Sequence, residues 1–179
     1  MTSSRLSLIV AAVAALAFLV AGAPIAEAKM KVRLADEAWT GDKIPDGQWC
    51  SKFDGAGATP ALIIDNVPDM ANGIVVAFND ESYTPMDKGG HGILLFMITP
   101  ERPIRIPSIA GETTELPDDV IMVKAHKAKS AAYSPGTAYL PPCSGGIGNT
   151  YTATVQMVQV ATDGRYTVLQ TIKITLGRY

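Results

Sequence analysis

The sequence has 179 residues, a formal net charge of −2 and an apolar fraction of 47%. A chain of this length can form one hydrophobic core without a disulfide scaffold. Its near-neutral charge gives no basic surface of the kind that binds nucleic acid, so nucleic acid is excluded as a partner. Its two histidines, His91 and His126, lie far apart, and neither cysteine has zinc-site spacing. No metal and no cofactor are therefore predicted.

Residues 1–28 have the three-part pattern of a signal peptide. Arg5 precedes the apolar run Leu6 to Val20, and Ala26-Glu27-Ala28 has the small-x-small pattern of a signal peptidase site. The alternative is an uncleaved membrane anchor, because the apolar run approaches the length that spans a bilayer. The lack of a basic cluster directly after the run favours cleavage. We therefore expect a periplasmic or secreted protein with no stable membrane anchor after cleavage, and a single domain over residues 29–179.

Two cysteines, Cys50 and Cys143, remain after the predicted cleavage. Disulfides persist in exported proteins, so an even pair favours a bridge between them. The alternative is two buried free thiols, because the sequence does not show whether the two Cα atoms lie within bonding distance.

Short apolar or alternating segments follow the leader, separated by turns rich in Gly, Pro, Asp and Asn. They predict strands near residues 31–34, 61–64, 73–78, 92–98, 120–123, 151–160 and 166–176. Such spacing is typical of an all-β protein, and we expect a Greek-key β-sandwich with few short helices. The continuous apolar runs 73–78 and 92–98 indicate central strands. Asp163-Gly164 predicts a hairpin turn.

The remaining sequence between residues 101 and 138 shows little periodicity and predicts a functional or mobile loop. Within it, His126 belongs to the basic stretch Val123 to Lys129. Such a stretch is usually solvated surface.

The Gly/Pro-rich segment Tyr139 to Tyr151 stands directly before a predicted strand. Glycines allow backbone N–H groups to converge, and such a concavity binds anions. The alternative is a long turn between two strands.

Several segments resemble, in order and spacing, the phosphatidylethanolamine-binding protein family, which includes the Raf kinase inhibitor protein. The family has an isoleucine-proline opening, an apolar strand ending in aspartate-proline-aspartate, and a histidine-led strand. A proline-rich loop with histidine-x-tyrosine and a leucine-x-glycine-x-tyrosine ending follow. The matching segments are Ile44-Pro45, Asp54 to Leu62, Asn66 to Pro68, Ile74 to Asp80, Gly90 to Pro100, Tyr139 to Tyr151 and Leu176 to Tyr179.

The resemblance covers residues 44–179 and implies a β-sandwich with a pocket for phosphate-like head groups at one end, without catalysis. The sequence departs from the family pattern at three pocket positions. Phe78 or Asn79 stands at the first aspartate, His91 lies one residue before the expected histidine, and Asn149 replaces the second histidine. Tyr151 keeps the family tyrosine.

The predicted pocket contains residues from two strand ends and from the Gly/Pro-rich loop. These residues are Asp80, His91, Pro141, Pro142, Gly146, Asn149 and Tyr151. Asp80 either accepts a hydrogen bond from a ligand or is a turn residue. His91 either donates a hydrogen bond to an anion or is a core residue whose hydrogen bonds are made within the protein. With His91 as the cation, an anion is expected to bind more tightly below the imidazole pKa of about 6.5.

Three functions are compatible with the sequence. The first is an exported, non-enzymatic protein that binds a small anionic or phosphate-bearing ligand. The second is a protein-interaction or inhibitor module whose pocket is vestigial, and the altered histidine positions favour it. The third and weakest is a hydrolase, because no Gly-x-Ser-x-Gly motif is present.

Overall fold

The computed structural model describes residues 28–129 and 136–179, and the predicted leader lies outside them except for its last residue. Two short 3₁₀ helices, Ser51–Phe53 and Thr84–Met86, accompany eight strands. The strands are β1 (Lys31–Leu34), β2 (Leu62–Asp65), β3 (Gly73–Asp80), β4 (Ile93–Met97), β5 (Ile104–Ile106), β6 (Val120–Lys124), β7 (Thr150–Val160) and β8 (Tyr166–Arg178). The all-β prediction is confirmed. Within the described ranges, no helix has the length and apolarity to cross a membrane.

The strands form two antiparallel sheets, with the orders β1-β2-β5 and β6-β4-β3-β7-β8. Within the larger sheet, β7 returns to lie beside β3 after β4 and β6 have extended the other side. This is the Greek-key order. The connection from β4 to β6 passes through β5 in the smaller sheet, which links the two layers.

The core lies between the two sheets. Ile64 of β2 and Ile106 of β5 face Ile74 and Val76 of β3, and Val155 of β7 completes this layer. β3 and β4 are central and largely buried, as their continuous apolar runs predict. Because β3 and β4 are antiparallel neighbours, the end of β3 lies beside the start of β4 at one end of the sandwich.

The predicted hairpin joins β7 and β8. Ala161 N–H donates to the Arg165 carbonyl across 2.8 Å, and Gly164 has a φ of +81°. Glycine adopts this conformation at little cost, which explains its place in the turn.

One strand was missed by sequence analysis. β5, within the stretch predicted to be a loop, consists of only three residues, Ile104–Ile106, with two isoleucines facing the core and Arg105 facing outward. The prediction of a patternless loop over residues 101–138 is wrong at this point.

Candidate functional site

A cavity of about 640 Å³ opens at the end of the sandwich where β3 ends and β4 and β7 begin. Four of the predicted residues line it: Asp80, His91, Asn149 and Tyr151. Strand pairing brings them together. Asp80 lies opposite Tyr151 in the β3–β7 ladder, and His91 N–H donates to the Phe78 carbonyl just before β4.

The Asp80 side chain is buried and accepts three hydrogen bonds. Its Oδ1 accepts from the backbone N–H groups of Ser82 and Tyr83 at 2.9 and 3.2 Å, and its Oδ2 accepts from the Asn149 amide at 2.7 Å. The interpretation of Asp80 as a turn residue is therefore confirmed. The same carboxylate also lies in the cavity wall, where it can only accept hydrogen bonds while it is ionised.

His91 is buried, and its Nδ1 lies 2.8 Å from the Leu140 carbonyl oxygen. Since a carbonyl only accepts, Nδ1 carries the hydrogen and the neutral ring has its lone pair on Nε2. Burial lowers the pKa of His91 to about 4, although the Leu140 carbonyl and the Asp80 carboxylate partly offset this effect. With this pKa the poorly solvated His91 is neutral near pH 6.5, in contrast to the prediction that it provides positive charge there.

Tyr151 packs against this imidazole edge-to-face, with ring centroids 5.3 Å apart. Its hydroxyl oxygen accepts from the backbone N–H of Cys143 at 3.1 Å. Burial raises the pKa of Tyr151 to about 12, so the phenol keeps its proton at neutral pH. The hydroxyl therefore has a hydrogen to donate, and the Asp80 carboxylate, which also raises this pKa, lies close enough to accept it.

Three predicted residues, Pro141, Pro142 and Gly146, do not line the cavity. Pro141 is buried where Gly57 allows a close approach, and the Pro142 carbonyl accepts from Cys50 N–H at 3.0 Å. Gly146 is exposed. The prolines therefore hold the path of the loop instead of contacting the cavity.

The predicted disulfide is present. Cys50 and Cys143 are bonded, with Cα atoms 5.3 Å apart and a sequence separation of 93. Cys143 also lines the cavity. The bond therefore joins the segment next to the Ser51–Phe53 helix to the cavity wall.

Sequence analysis missed the lysines of the cavity. Lys127 and Lys129 line it, although the basic stretch containing them was interpreted as solvated surface. Lys127 N–H donates to the Gly90 carbonyl at 2.8 Å, which places the chain after β6 beside the start of β4. Both lysines follow β6, so a prediction that β6 pairs with β4 would have placed them beside the start of β4 and the cavity.

Across residues 28–129 and 136–179, no group of three His, Cys, Asp or Glu side chains is arranged to hold a metal ion. The polar groups that line the cavity are a carboxylate, an amide, a neutral imidazole, two phenols, two serine hydroxyls and two ammonium groups. These groups can bind an organic or anionic ligand through hydrogen bonds and charge.

This β-sandwich has the fold of phosphatidylethanolamine-binding proteins. YbcL of Escherichia coli, a member of the mammalian phosphatidylethanolamine-binding protein family, matches with a TM-score of 0.51 and 18% identity. The match covers 85% of this chain and 98% of YbcL. A phosphatidylethanolamine-binding protein homologue from Chlamydia trachomatis matches with a TM-score of 0.49 and 18% identity, covering 84% and 97% of the two chains. No protein-family model and no curated protein sequence matches the chain.

His91 is expected to stay neutral down to a pH of about 4. This pKa lies below the value of an unfolded histidine, so the unfolded chain takes up a proton at a higher pH than the folded protein does. The free energy of unfolding is therefore unaffected by His91 above about pH 6.5 and decreases as the pH falls toward 4. The loss amounts to roughly 3 kcal/mol. NMR titration of the imidazole measures the pKa directly, and a midpoint near 6.5 in the folded protein would contradict the assignment.

Proposed function

We propose that the protein is an exported, non-enzymatic binding protein whose cavity takes a small phosphate-bearing ligand. The observation that carries the proposal is the convergence of Lys127, Lys129, Tyr151, Asn149 and Asp80 around one cavity. Its volume of about 640 Å³ lies within the range of small-molecule sites. The likeness in fold to YbcL and the sequence motifs at the same end of the sandwich support a family relationship.

In this proposal the lysines replace His91 as the source of positive charge. The exposed Lys127 and Lys129 attract phosphate oxygens, and the Tyr151 hydroxyl donates to one of them. Asp80 repels an anion unless the ligand also offers a hydrogen. A phosphate hydroxyl or an amine on the ligand provides that hydrogen and makes Asp80 an acceptor instead of a repulsive group.

Two observations support a binding protein over an enzyme. With a pKa of about 4, His91 is a weak general base at neutral pH. Its Nδ1 hydrogen is also held by the Leu140 carbonyl, so no carboxylate orients the ring as in a catalytic triad.

We expect phosphoethanolamine and inorganic phosphate to shift the NMR signals of Asp80, Asn149 and Tyr151 at millimolar concentration. Sulfate, which has no hydrogen to donate at neutral pH, should bind more weakly than phosphate. The double substitution Lys127→Gln/Lys129→Gln should weaken phosphate binding roughly fivefold, because these ammonium groups are exposed.

The matched control is Lys124→Gln, which removes an exposed lysine of the same segment that does not line the cavity. It should leave the affinity for phosphate unchanged. If phosphate shifts no signal at the cavity, or if sulfate binds as tightly as phosphate, the proposed ligand class is incorrect.

A second candidate is the protein-interaction or inhibitor module with a vestigial pocket. It is favoured by Ile147 and Tyr83, which line the cavity while 78% and 54% of their surfaces are exposed. Large exposed apolar side chains beside a cavity are typical of interaction sites. Failure of phosphate binding would leave this function as the better proposal.

A further inference from the structure

Four strands form the edges of the two sheets: β1, β5, β6 and β8. Three of them carry charge within the strand: Arg33 in β1, Arg105 in β5 and Lys173 in β8. Charged side chains at an edge discourage pairing with another chain. β6 differs, because its single charged residue, Lys124, stands at its end.

The middle of β6 is apolar and exposed. Ile121, Met122 and Val123 follow one another with 49%, 40% and 41% of their surfaces exposed. A run of this kind on an edge strand has the features of a pairing surface. Because Met97 N–H donates to the Asp119 carbonyl, the alternation of the ladder directs the Val120 carbonyl and the Met122 N–H away from β4.

The charges at the two ends of β6 have opposite signs. Asp119 precedes the strand and Lys124 ends it. Both lie on the outer face of the sheet with Ile121, since they stand opposite Met97, Ile93 and Leu95. Within the described residues, neither the Asp119 nor the Lys124 side chain forms an ion pair.

We propose that two copies of the protein pair through antiparallel β6 strands related by a two-fold axis. Antiparallel pairing places Asp119 of each copy beside Lys124 of the other, so the strand is complementary to itself. The Met122 N–H and the Val120 carbonyl gain partners, and the two Ile121 side chains meet on the outer face. A self-complementary patch of this kind forms a closed dimer.

The test is the mass of the protein in solution, measured by light scattering or sedimentation on material purified from cells expressing the full sequence. We expect twice the mass of the chain at concentrations of about 100 μM and dissociation on dilution. Ile121→Lys introduces the protective charge found on the other edges and should give a monomer. Val168→Lys is the matched control, because Val168 is 43% exposed on the opposite edge strand. It should leave the dimer intact.

Exchange of the charged pair tests the orientation of the strands. Asp119→Lys and Lys124→Asp should each weaken the dimer several-fold, and the double variant Asp119→Lys/Lys124→Asp should restore it. A monomeric wild-type protein would overturn the proposal. So would a dimer that Val168→Lys disrupts as strongly as Ile121→Lys, or a double variant no better than the single ones. The experiment does not involve the cavity, so its outcome is independent of ligand binding.

Discussion

Replacement of Gly92 by alanine is expected to destabilise the protein by about 3 kcal/mol or more. Gly92 has a φ of +117°, which L side chains rarely adopt. A Cβ atom at this position would also overlap the carbonyl oxygen of Ala138, which is backbone and cannot swing aside. Urea unfolding monitored by circular dichroism measures the change.

Gly146→Ala is the matched control for the steric part of this effect. Gly146 has a φ of +79°, but no atom lies within 4 Å of its virtual Cβ. Its substitution should cost only about 1 kcal/mol, from the backbone conformation alone. Equal losses at Gly92 and Gly146 would contradict the overlap with Ala138.

Removal of the disulfide by the double substitution Cys50→Ala/Cys143→Ala is expected to cost about 4 kcal/mol. The bond closes a loop over 93 positions of sequence and so restricts the unfolded chain strongly. Thermal or urea unfolding of the variant and of the oxidised wild-type protein measures the difference. Because Cys143 is part of the cavity wall, ligand affinity should fall in the variant as well.

The reduced wild-type protein is the control for the loss of the sulfur atoms themselves. It should unfold at nearly the same urea concentration as the double variant, and thiol labelling should detect two groups per chain only after reduction. A variant as stable as the oxidised wild type would show that other contacts hold this segment. The hydrogen bond from Cys50 N–H to the Pro142 carbonyl is one such contact.

The strands that sequence analysis located are those with a clear periodic pattern. β3 and β4 have continuous apolar runs, and the Asp163-Gly164 turn marks the hairpin between β7 and β8. β5 escaped detection because three residues are too few to show a period. Its strand character arises from pairing with β2, a contact between segments distant in sequence.

Only the site residues that lie at the ends of predicted strands could be located from the sequence. Asp80 ends β3 and His91 lies just before the neighbouring β4, so their convergence with Tyr151 followed from the expected sheet. The protonation state of His91 depends on its burial, which the sequence does not report. Lys127 reaches the cavity through the pairing of β6 with β4, and the inward course of Pro141 depends on close approach to Gly57.

The Greek-key order also determines when the fold can form during synthesis. β3 lies between β4 and β7, and Asp80 pairs with Tyr151 far along the chain. Until the ribosome has made β7, the apolar β3 has an unpaired side and cannot complete its core. Non-local pairing of this kind is slow, and an incomplete sheet exposes strand edges that aggregate. The nascent chain therefore exposes one unpaired edge of β3 until β7, which spans Thr150–Val160, has been synthesised.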